Sequence, residues 1–301
     1  MTETKKDRRP DAGFQHPLML GSGDGTFADL ALAFLAEGLA RGERVAAAVP
    51  ETRLGTLAEA FGPRLRLFDL TEIGRNPGRI LPLVLFAFAD AAEGDDVRIL
   101  QEPVWEGRTE LEYPACVQHE ALTNLAFAGR RMTVGCFYDA SALGPAVVAD
   151  AHATHQGPGY SPEAVMDRYD LPLPEPERVH AVLRFDAAGQ EGTRAVAAQC
   201  AAAHDLGADQ SIDVELVVNE LTANSVAHGG GSGLLRIWGE KDALVCEVTD
   251  AGRFADPLAG RRPAGLSVTG GRGLLLVHCL SDLVRTHTTE NSLTIRAYFR
   301  R

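Results

Sequence analysis

The 301-residue chain lacks any apolar run close to the roughly 20 residues that a membrane-spanning helix needs. Its first residues also lack the apolar core of a signal peptide. The formal net charge is -12, so the chain has no excess of the basic residues that are typical of nucleic-acid-binding proteins. We therefore predict a cytoplasmic protein that contacts neither a membrane nor nucleic acid directly.

Closely spaced cysteines are also missing. The five cysteines form no CxxC pair and lie at positions Cys116, Cys136, Cys200, Cys246 and Cys279. This spacing favours buried, reduced thiols over a disulfide framework or a zinc site. The histidines give weak metal motifs. His119-Glu120 is followed by Thr123 where a zinc-binding helix would need its second histidine. His152 and His155 share a helical face, but Asp150 is their only nearby carboxylate.

Residues 1–12 are polar and without periodicity, which predicts a disordered tail. Between residues 13 and 156, short apolar runs alternate with amphipathic stretches of helical spacing. We predict strands at 16–20, 44–49, 65–68, 97–100 and 132–137, and a helix over 27–40. Alternation of this kind predicts an α/β domain with a mainly parallel sheet.

Prolines accumulate between residues 157 and 178, which predicts a semi-rigid linker with one short helix at 162–169. A second domain follows at 179–301. Its predicted strands are 181–185, 234–238, 243–248, 283–288 and 293–299, and its predicted helices are 193–206, 212–227 and 274–280. Helices combined with consecutive hairpins predict an α+β two-layer sandwich, one sheet covered on one face.

Three polar segments of the second domain could form a site. Glu220, Asn224 and His228 recur at i, i+4 and i+8 and so share one helical stripe, although any surface helix can have such a stripe. Asp250-Ala251-Gly252 follows a predicted strand. Its carboxylate can accept from an exocyclic amine, and its glycine lets a base approach the backbone.

The third segment is a glycine-rich turn, Thr269-Gly270-Gly271-Arg272-Gly273-Leu274, which opens an apolar helix. Free backbone N–H groups and the positive end of the helix dipole favour phosphate at such a turn. Each segment is weak evidence by itself. Their order and spacing together predict an ATP-binding domain.

The combination resembles the N, G1 and G2 boxes of the GHKL (Bergerat-fold) ATPases, in particular the RsbW-type anti-sigma factor serine kinases. The resemblance implies that Glu220 polarises the attacking hydroxyl, that Asn224 coordinates Mg²⁺, and that Asp250 with Gly252 binds adenine. It implies triphosphate contacts from the G2 turn, at Gly271, Arg272, Gly273 and Leu274. For Arg272 a solvated position is an equal alternative, and His228 is expected to cap or pack. Phe254 stands in place of the second G1 glycine, so the resemblance does not decide whether the lid closes over the nucleotide.

Residues 13–156 resemble the MEDS (DcmR-type sensory) domain. The resemblance rests on His16, on the segment 35–44 and on Cys136-Phe137-Tyr138-Asp139. It implies a RecA-like fold that senses an unknown small-molecule or protein signal. The glycine-rich segment 21–26 has no lysine for phosphate and the wrong glycine spacing, so we interpret it as a turn.

Together the resemblances imply a signal-responsive regulator of transcription that binds Mg-ATP. It would act as an anti-sigma factor, as a serine/threonine kinase of a STAS-type anti-sigma factor antagonist, or as both. Its partner would be the sigma factor or the antagonist, and a homodimer is the default assembly. Two alternatives stay open. One is a non-catalytic, ATP-dependent module that sequesters a partner. The other is a histidine-kinase-like phosphorelay sensor, which is disfavoured because no histidine-bearing dimerisation helix precedes the ATPase domain.

Overall fold

The computed structural model describes residues 13–263 and 272–301, so the tail predicted at 1–12 lies outside the described residues. The N-terminal half alternates strands and helices. In chain order they are β1 (Leu18–Gly21), α1 (Gly23–Ala40), β2 (Arg44–Val49), α2 (Glu51–Phe61), β3 (Arg66–Asp69), α3 (Ala87–Asp90), β4 (Val97–Gln101), α4 (Tyr113–Ala126), β5 (Met132–Asp139) and α5 (Pro145–Thr154). Two 3-10 turns (Gly62–Arg64 and Pro77–Arg79) and a π-helix (Leu81–Phe86) complete the connections.

The five N-terminal strands form one parallel sheet in the order β1-β5-β4-β2-β3. The central strands β2 and β4 are buried along almost their whole length, because helices cover both faces of a parallel sheet. On one face, Phe27, Ala31 and Leu35 of α1 pack into the core. The predicted α/β domain with a mainly parallel sheet is confirmed.

The C-terminal half is built differently. After helix α6 (Pro162–Tyr169) of the proline-rich segment, its elements are β6 (Ala181–Asp186), α7 (Gln190–Ala203), α8 (Ala208–His228), β7 (Ser232–Glu240), β8 (Ala243–Asp250), α9 (Gly273–Leu280), β9 (Leu283–Thr288) and β10 (Leu293–Arg300). The strands pair antiparallel in the order β6-β7-β8-β10-β9. None of the helices in the described part of the chain is long and apolar enough to cross a membrane.

Helices α7, α8 and α9 cover one face of this antiparallel sheet. Helix α8 presents Val214, Val218 and Leu221 to the core, where they join strand residues such as Ile237 and Val248. The expected spacing of apolar positions on an amphipathic helix accounts for this contact. The predicted two-layer α+β sandwich is therefore confirmed.

The opposite face of the same sheet contacts the N-terminal half. Trp238 and Tyr298 are buried there beside Ala115, with Leu111 packed at the edge. Arg285 Nη1 also donates to the Leu111 carbonyl oxygen at 2.8 Å. The N-terminal half thus covers part of the second sheet face, for which the sequence predicted no covering layer.

The proline-rich segment also touches both halves. Helix α6 packs on α4, with Val165 fully buried, and its Arg168 is 2.6 Å from Asp150 of α5. Just after α6, Asp170 Oδ1 accepts from the Thr288 backbone N–H at 3.0 Å. Contacts on both sides hold this segment in place.

Candidate nucleotide site

The polar stripe predicted on α8 is present, and two of its residues, Asn224 and His228, line a cavity. Glu220 and Asn224 are half-buried, whereas His228 ends the helix and is exposed. The amide nitrogen of Asn224 is buried and has no hydrogen-bond partner among the described residues. An unpartnered buried amide is costly unless a ligand or water satisfies it, so this position is suited to a polar ligand.

Asp250 ends strand β8, and neighbouring groups fix its carboxylate. Ser225 Oγ of α8 donates to Asp250 Oδ2 at 2.5 Å, and the Gly252 backbone N–H donates to Oδ1 at 2.7 Å. A Cβ atom on Gly229 would lie 2.4 Å from Asp250 Cγ, so only glycine fits beside the carboxylate. Each carboxylate oxygen accepts two hydrogen bonds, which leaves Asp250 capacity for a ligand amine.

The first turn of α9 meets the α8 stripe. A Cβ atom on Gly273 would lie 2.5 Å from Glu220 Oε2 and 3.3 Å from Asn224 Nδ2. The absence of a side chain at Gly273 therefore lets the N-terminus of α9 approach these two polar groups closely. Arg272 precedes the helix and is exposed. Gly271 lies outside the described residues.

A cavity of about 630 Å³ lies beside this helix end, with Asn224, Asp250 and Leu274 in its lining. Its size falls within the roughly 300–1,000 Å³ common for small-molecule sites. Its apolar walls come from both layers of the sandwich and are formed by Leu221, Val248, Leu274, Leu293 and Ile295. Asn224 and Asp250 supply polar groups within the same wall. An apolar slot ending at a carboxylate is suited to a flat base that has an exocyclic amine.

The segment after β8 folds over the cavity as a lid, which we define as residues 251–263. Phe254 lines the nucleotide cavity and also a second cavity of about 210 Å³, whose walls include Gln118 of α4 and Met166 of α6. Gly260 has a φ of 71° and lies against Leu274, where a Cβ atom would be 2.6 Å from Leu274 Cβ. The lid is therefore folded onto the start of α9.

Two lid residues are buried, which the sequence did not reveal, and one of them lies in the core of the N-terminal half. Leu258 is 1% exposed and joins the core cluster of that half. Arg261 is buried, its Nη1 has no partner within 13–263 and 272–301, and burial lowers the pKa of its guanidinium to about 10. Both side chains would be exposed if the lid projected into solvent. Their burial therefore indicates that the lid is docked on the rest of the protein.

The N-terminal half also holds the far end of α9. Asn76 Nδ2 donates to the backbone carbonyls of His278 and Ser281 at 2.9 and 3.2 Å. Arg79 donates to the same two carbonyls, with Nη2 2.8 Å from the Ser281 oxygen. Carbonyls at a helix C-terminus need external donors, and cations are favoured there by the helix dipole. One half thus caps the helix whose other end faces the nucleotide cavity.

The glycine-rich segment at 21–26, which the sequence predicts as a turn, is mostly helical, because only Ser22 separates β1 from α1, which begins at Gly23. The Gly23 backbone N–H donates to Asp139 Oδ1 at 3.1 Å, and Ser141 donates to the same oxygen. The Asp139 carboxylate therefore already accepts from the backbone N–H that would otherwise be available to a phosphate. The His119-Glu120 pair is also occupied within the protein, since His119 Nε2 contacts Gln101 Oε1 at 3.1 Å.

Comparisons with known proteins give two family matches, one for each half of the chain. Residues 15–156 match the family model described as MEDS: MEthanogen/methylotroph, DcmR Sensory domain. Residues 183–299 match the model described as Histidine kinase-like ATPase domain. No curated protein matches the chain. A solved structure, the SiaB-SiaC complex from Pseudomonas aeruginosa, is similar at 14% identity, over 41% of this chain and 90% of its own, with a TM-score of 0.34. The chain thus consists of a MEDS domain followed by a histidine kinase-like ATPase domain.

Proposed function

We propose that this chain is a cytoplasmic, signal-responsive regulator of transcription that binds Mg-ATP. It would act as an anti-sigma factor, as a serine/threonine kinase of a STAS-type antagonist, or as both. The main support is the contact at Gly273, whose bare Cα faces Glu220 Oε2 and Asn224 from the N-terminal turn of α9. That contact brings a carboxylate, an amide and a phosphate-binding helix end to one point.

The opposite end of the cavity would hold the base. Asp250 has acceptor capacity for the adenine amine, and its position is fixed by Ser225 and Gly252. Leu293 and Ile295 supply an apolar wall for the ring. The base would then lie at Asp250 and the phosphates at α9, where backbone N–H groups and the helix dipole favour negative charge.

The residues near α9 also fit a magnesium ion. Mg²⁺ prefers oxygen ligands, and the Asn224 carboxamide lies close to Gly273 at the N-terminus of α9. Its amide nitrogen lacks a partner in the described ranges, so the side chain is not committed elsewhere. When bound, Mg²⁺ would offset negative charge on the phosphoryl group. Asn224 would hold it through the carbonyl oxygen.

Glu220 is the residue that we propose for orienting the attacking hydroxyl. It lies one helical turn before Asn224, and its Oε2 lies directly against Gly273. Phosphoryl transfer depends mostly on positioning and electrostatic stabilisation, so a misplaced or absent carboxylate removes transfer while the nucleotide contacts stay.

The test is Glu220→Ala, with Glu215→Ala on the same helix as the matched control. Glu215 contacts only Arg194, at 3.7 Å, among the ion pairs of the described chain. We expect Glu220→Ala to reduce transfer from radiolabelled ATP to purified STAS-domain antagonists by about 100- to 10,000-fold. Nucleotide affinity, measured by calorimetry, should change little. Parallel loss of binding and transfer would contradict the assigned role.

One observation favours the non-catalytic alternative. Phe254 stands in place of the second G1 glycine, is half-buried against the C-terminal core and lines the nucleotide cavity. A bulky side chain there restricts lid motion, which would suit a module that binds ATP and a partner without turnover. Wild-type protein that binds ATP but labels no antagonist would establish this alternative. Acid-labile, base-stable label would instead favour a histidine phosphorelay.

The proposal that the protein responds to a signal rests on the contacts between its halves. Asn76 and Arg79 cap α9, and Leu258 of the lid lies in the N-terminal core. A change in the MEDS domain would therefore reach both the helix and the lid that border the nucleotide cavity. The partner would be a sigma factor or an antagonist, and the assembly a homodimer.

A further inference from the structure

Four potential metal ligands converge inside the MEDS domain. His16 precedes β1, Glu120 lies in α4, Cys136 lies in β5 and His155 follows α5. Each is at most 1% exposed. One ligand atom from each side chain lies within 4.8 Å of all the others. We propose that these four residues form a closed binding site for a divalent transition metal, with Zn²⁺ as the best fit.

The separations between ligand atoms match a four-coordinate ion. Glu120 Oε2 is 3.1 Å from His16 Nε2, 3.3 Å from Cys136 Sγ and 3.6 Å from His155 Nε2. His16 Nε2 is 3.0 Å from Cys136 Sγ. Zinc binds N, O and S ligands at about 2.0–2.3 Å, which places tetrahedral ligands about 3.3–3.6 Å apart. Only small shifts are needed to place an ion between them.

Outer contacts turn both imidazoles toward the centre. His155 Nδ1 contacts the Ala151 carbonyl oxygen at 2.7 Å, and His16 Nδ1 contacts Asn124 Oδ1 at 3.1 Å. The Asn124 amide nitrogen donates to the Thr154 carbonyl at 2.8 Å, which assigns Oδ1 as the acceptor facing His16. Both Nδ1 atoms therefore donate, and both Nε2 lone pairs point at the cluster. Metal-binding histidines are oriented in this way.

The two anionic ligands are held similarly. Tyr138 Oη donates to Glu120 Oε1 at 3.2 Å, which leaves Oε2 at the centre. Gln101 Nε2 donates to Cys136 Sγ at 3.0 Å, and His119 holds the other end of that amide. Outer hydrogen bonds to each ligand are typical of a built metal site.

A cation would also resolve a shortage of protons. Because both Nδ1 atoms are protonated, the two Nε2 atoms and Glu120 Oε2 can act only as hydrogen-bond acceptors. The Cys136 thiol is the one donor among the four groups, and its single proton can satisfy only one of these three acceptors. His155 Nε2 has no hydrogen-bond partner in the described ranges. Zn²⁺ with one thiolate and one carboxylate is electrically neutral, as a buried site requires.

The ligand types and the lack of an open position favour a particular metal class. Thiolate with imidazole suits zinc, and four protein ligands are typical of structural rather than catalytic zinc. The ion would tie together the β1, α4, β5 and α5 segments. Helix α4 also begins beside the C-terminal sheet, so the ion would fix an element that contacts the ATPase domain.

The full-length protein, purified without added metal, is tested first by elemental analysis and then, after chelation, by titration with Co²⁺. We expect one metal ion per chain, and a cobalt spectrum with tetrahedral ligand-field bands and a thiolate charge-transfer band. Zinc should raise the melting temperature of the chelated protein in a concentration-dependent way.

Matched variants locate the site. Cys136→Ser and His155→Gln should lose the ion, whereas Cys116→Ser and His152→Gln should keep it. Cys116 is a buried cysteine on α4, and His152 is exposed one turn from His155. If Cys136→Ser fails to fold, the wild-type cobalt spectrum still decides. The proposal would be overturned if folded wild-type protein contained no stoichiometric metal and gave no cobalt–thiolate band. An unchanged cobalt–thiolate band in Cys136→Ser would also overturn it.

Discussion

The two domains hold their polar residues in opposite ways. The MEDS domain encloses His16, Glu120 and Cys136 completely, and hydrogen bonds connect them to one another and to the surrounding protein. The ATPase domain leaves Asn224 and Asp250 at the wall of an open cavity, where the Asn224 amide nitrogen lacks a protein partner. One cluster is closed off from solvent, and the other opens onto a cavity that can hold a ligand.

This difference predicts where substitutions act. Buried polar groups that bind one another contribute to folding, and removing one leaves others unpaired at a cost. Groups that line an open cavity contribute chiefly to binding. Between these two regions lies the lid, which follows β8 of the ATPase domain but buries Leu258 in the MEDS core. The following predictions test this contrast.

The largest effect is expected for Leu258→Ala, which would leave a cavity where the lid docks on the MEDS core. Truncation of a buried leucine costs about 2–5 kcal/mol, and we expect the free energy of unfolding to fall by that order. The lid should also become more accessible to limited proteolysis. Leu276→Ala is the control, because Leu276 on α9 is 42% exposed. Equal effects of the two substitutions in chemical denaturation would contradict docking of the lid.

Asp250→Asn should affect binding instead of folding. The substitution keeps the shape but replaces one acceptor oxygen with an amide that cannot accept from adenine. A hydrogen bond to a charged group contributes about 1.5–3 kcal/mol, so ATP affinity should fall about 10- to 100-fold. Calorimetric titration measures the affinity, and thermal unfolding without nucleotide measures the fold. Asp242→Asn in the β7–β8 turn is the control. Unchanged ATP affinity would remove Asp250 from the site.

The sequence predicted most of the secondary structure. Strands 44–49 and 283–288 and helix 162–169 have the predicted bounds, because local apolar patterns and flanking prolines define them. Strand β8 extends two residues beyond the predicted 248, since pairing of Asp250 with Leu293 depends on a distant strand. Helix α8 begins at Ala208 rather than 212. Local patterns therefore predict the elements but not the ends that tertiary pairing sets.

The same distinction applies to the two sites. Glu220 and Asn224 lie on one helix, so their spacing alone placed them together, and Asp250 follows in the next hairpin. The MEDS cluster has no such signature, because His16 and Cys136 are 120 residues apart and meet only through the sheet order. His155 was considered with His152, which is exposed, rather than with its actual neighbour Glu120. Sequence spacing cannot reveal contacts that parallel strands create.

The smallest effect in free energy is expected for Gly273→Ala. This variant distinguishes the effect of moving the Glu220 carboxylate from an effect on the stability of the fold. The added Cβ would lie 2.5 Å from Glu220 Oε2, the end of a flexible side chain that can rotate away. Folding should therefore change by less than about 0.5 kcal/mol, since Gly273 does not have a positive φ. If Glu220 orients the hydroxyl, its displacement should slow transfer roughly tenfold, or about 1.4 kcal/mol.

Gly192→Ala on α7 is the matched control, because a Cβ atom there meets nothing within 4 Å. Alanine in a helix should stabilise that variant by about 0.5–1 kcal/mol and leave transfer unchanged. For both variants, the rate of transfer is measured by stopping the reaction at set times and counting labelled antagonist, and stability is measured by thermal unfolding. Unaltered transfer in Gly273→Ala would mean that the contact between α9 and Glu220 is packing alone, and the cavity would then be a binding site whose chemistry lies elsewhere.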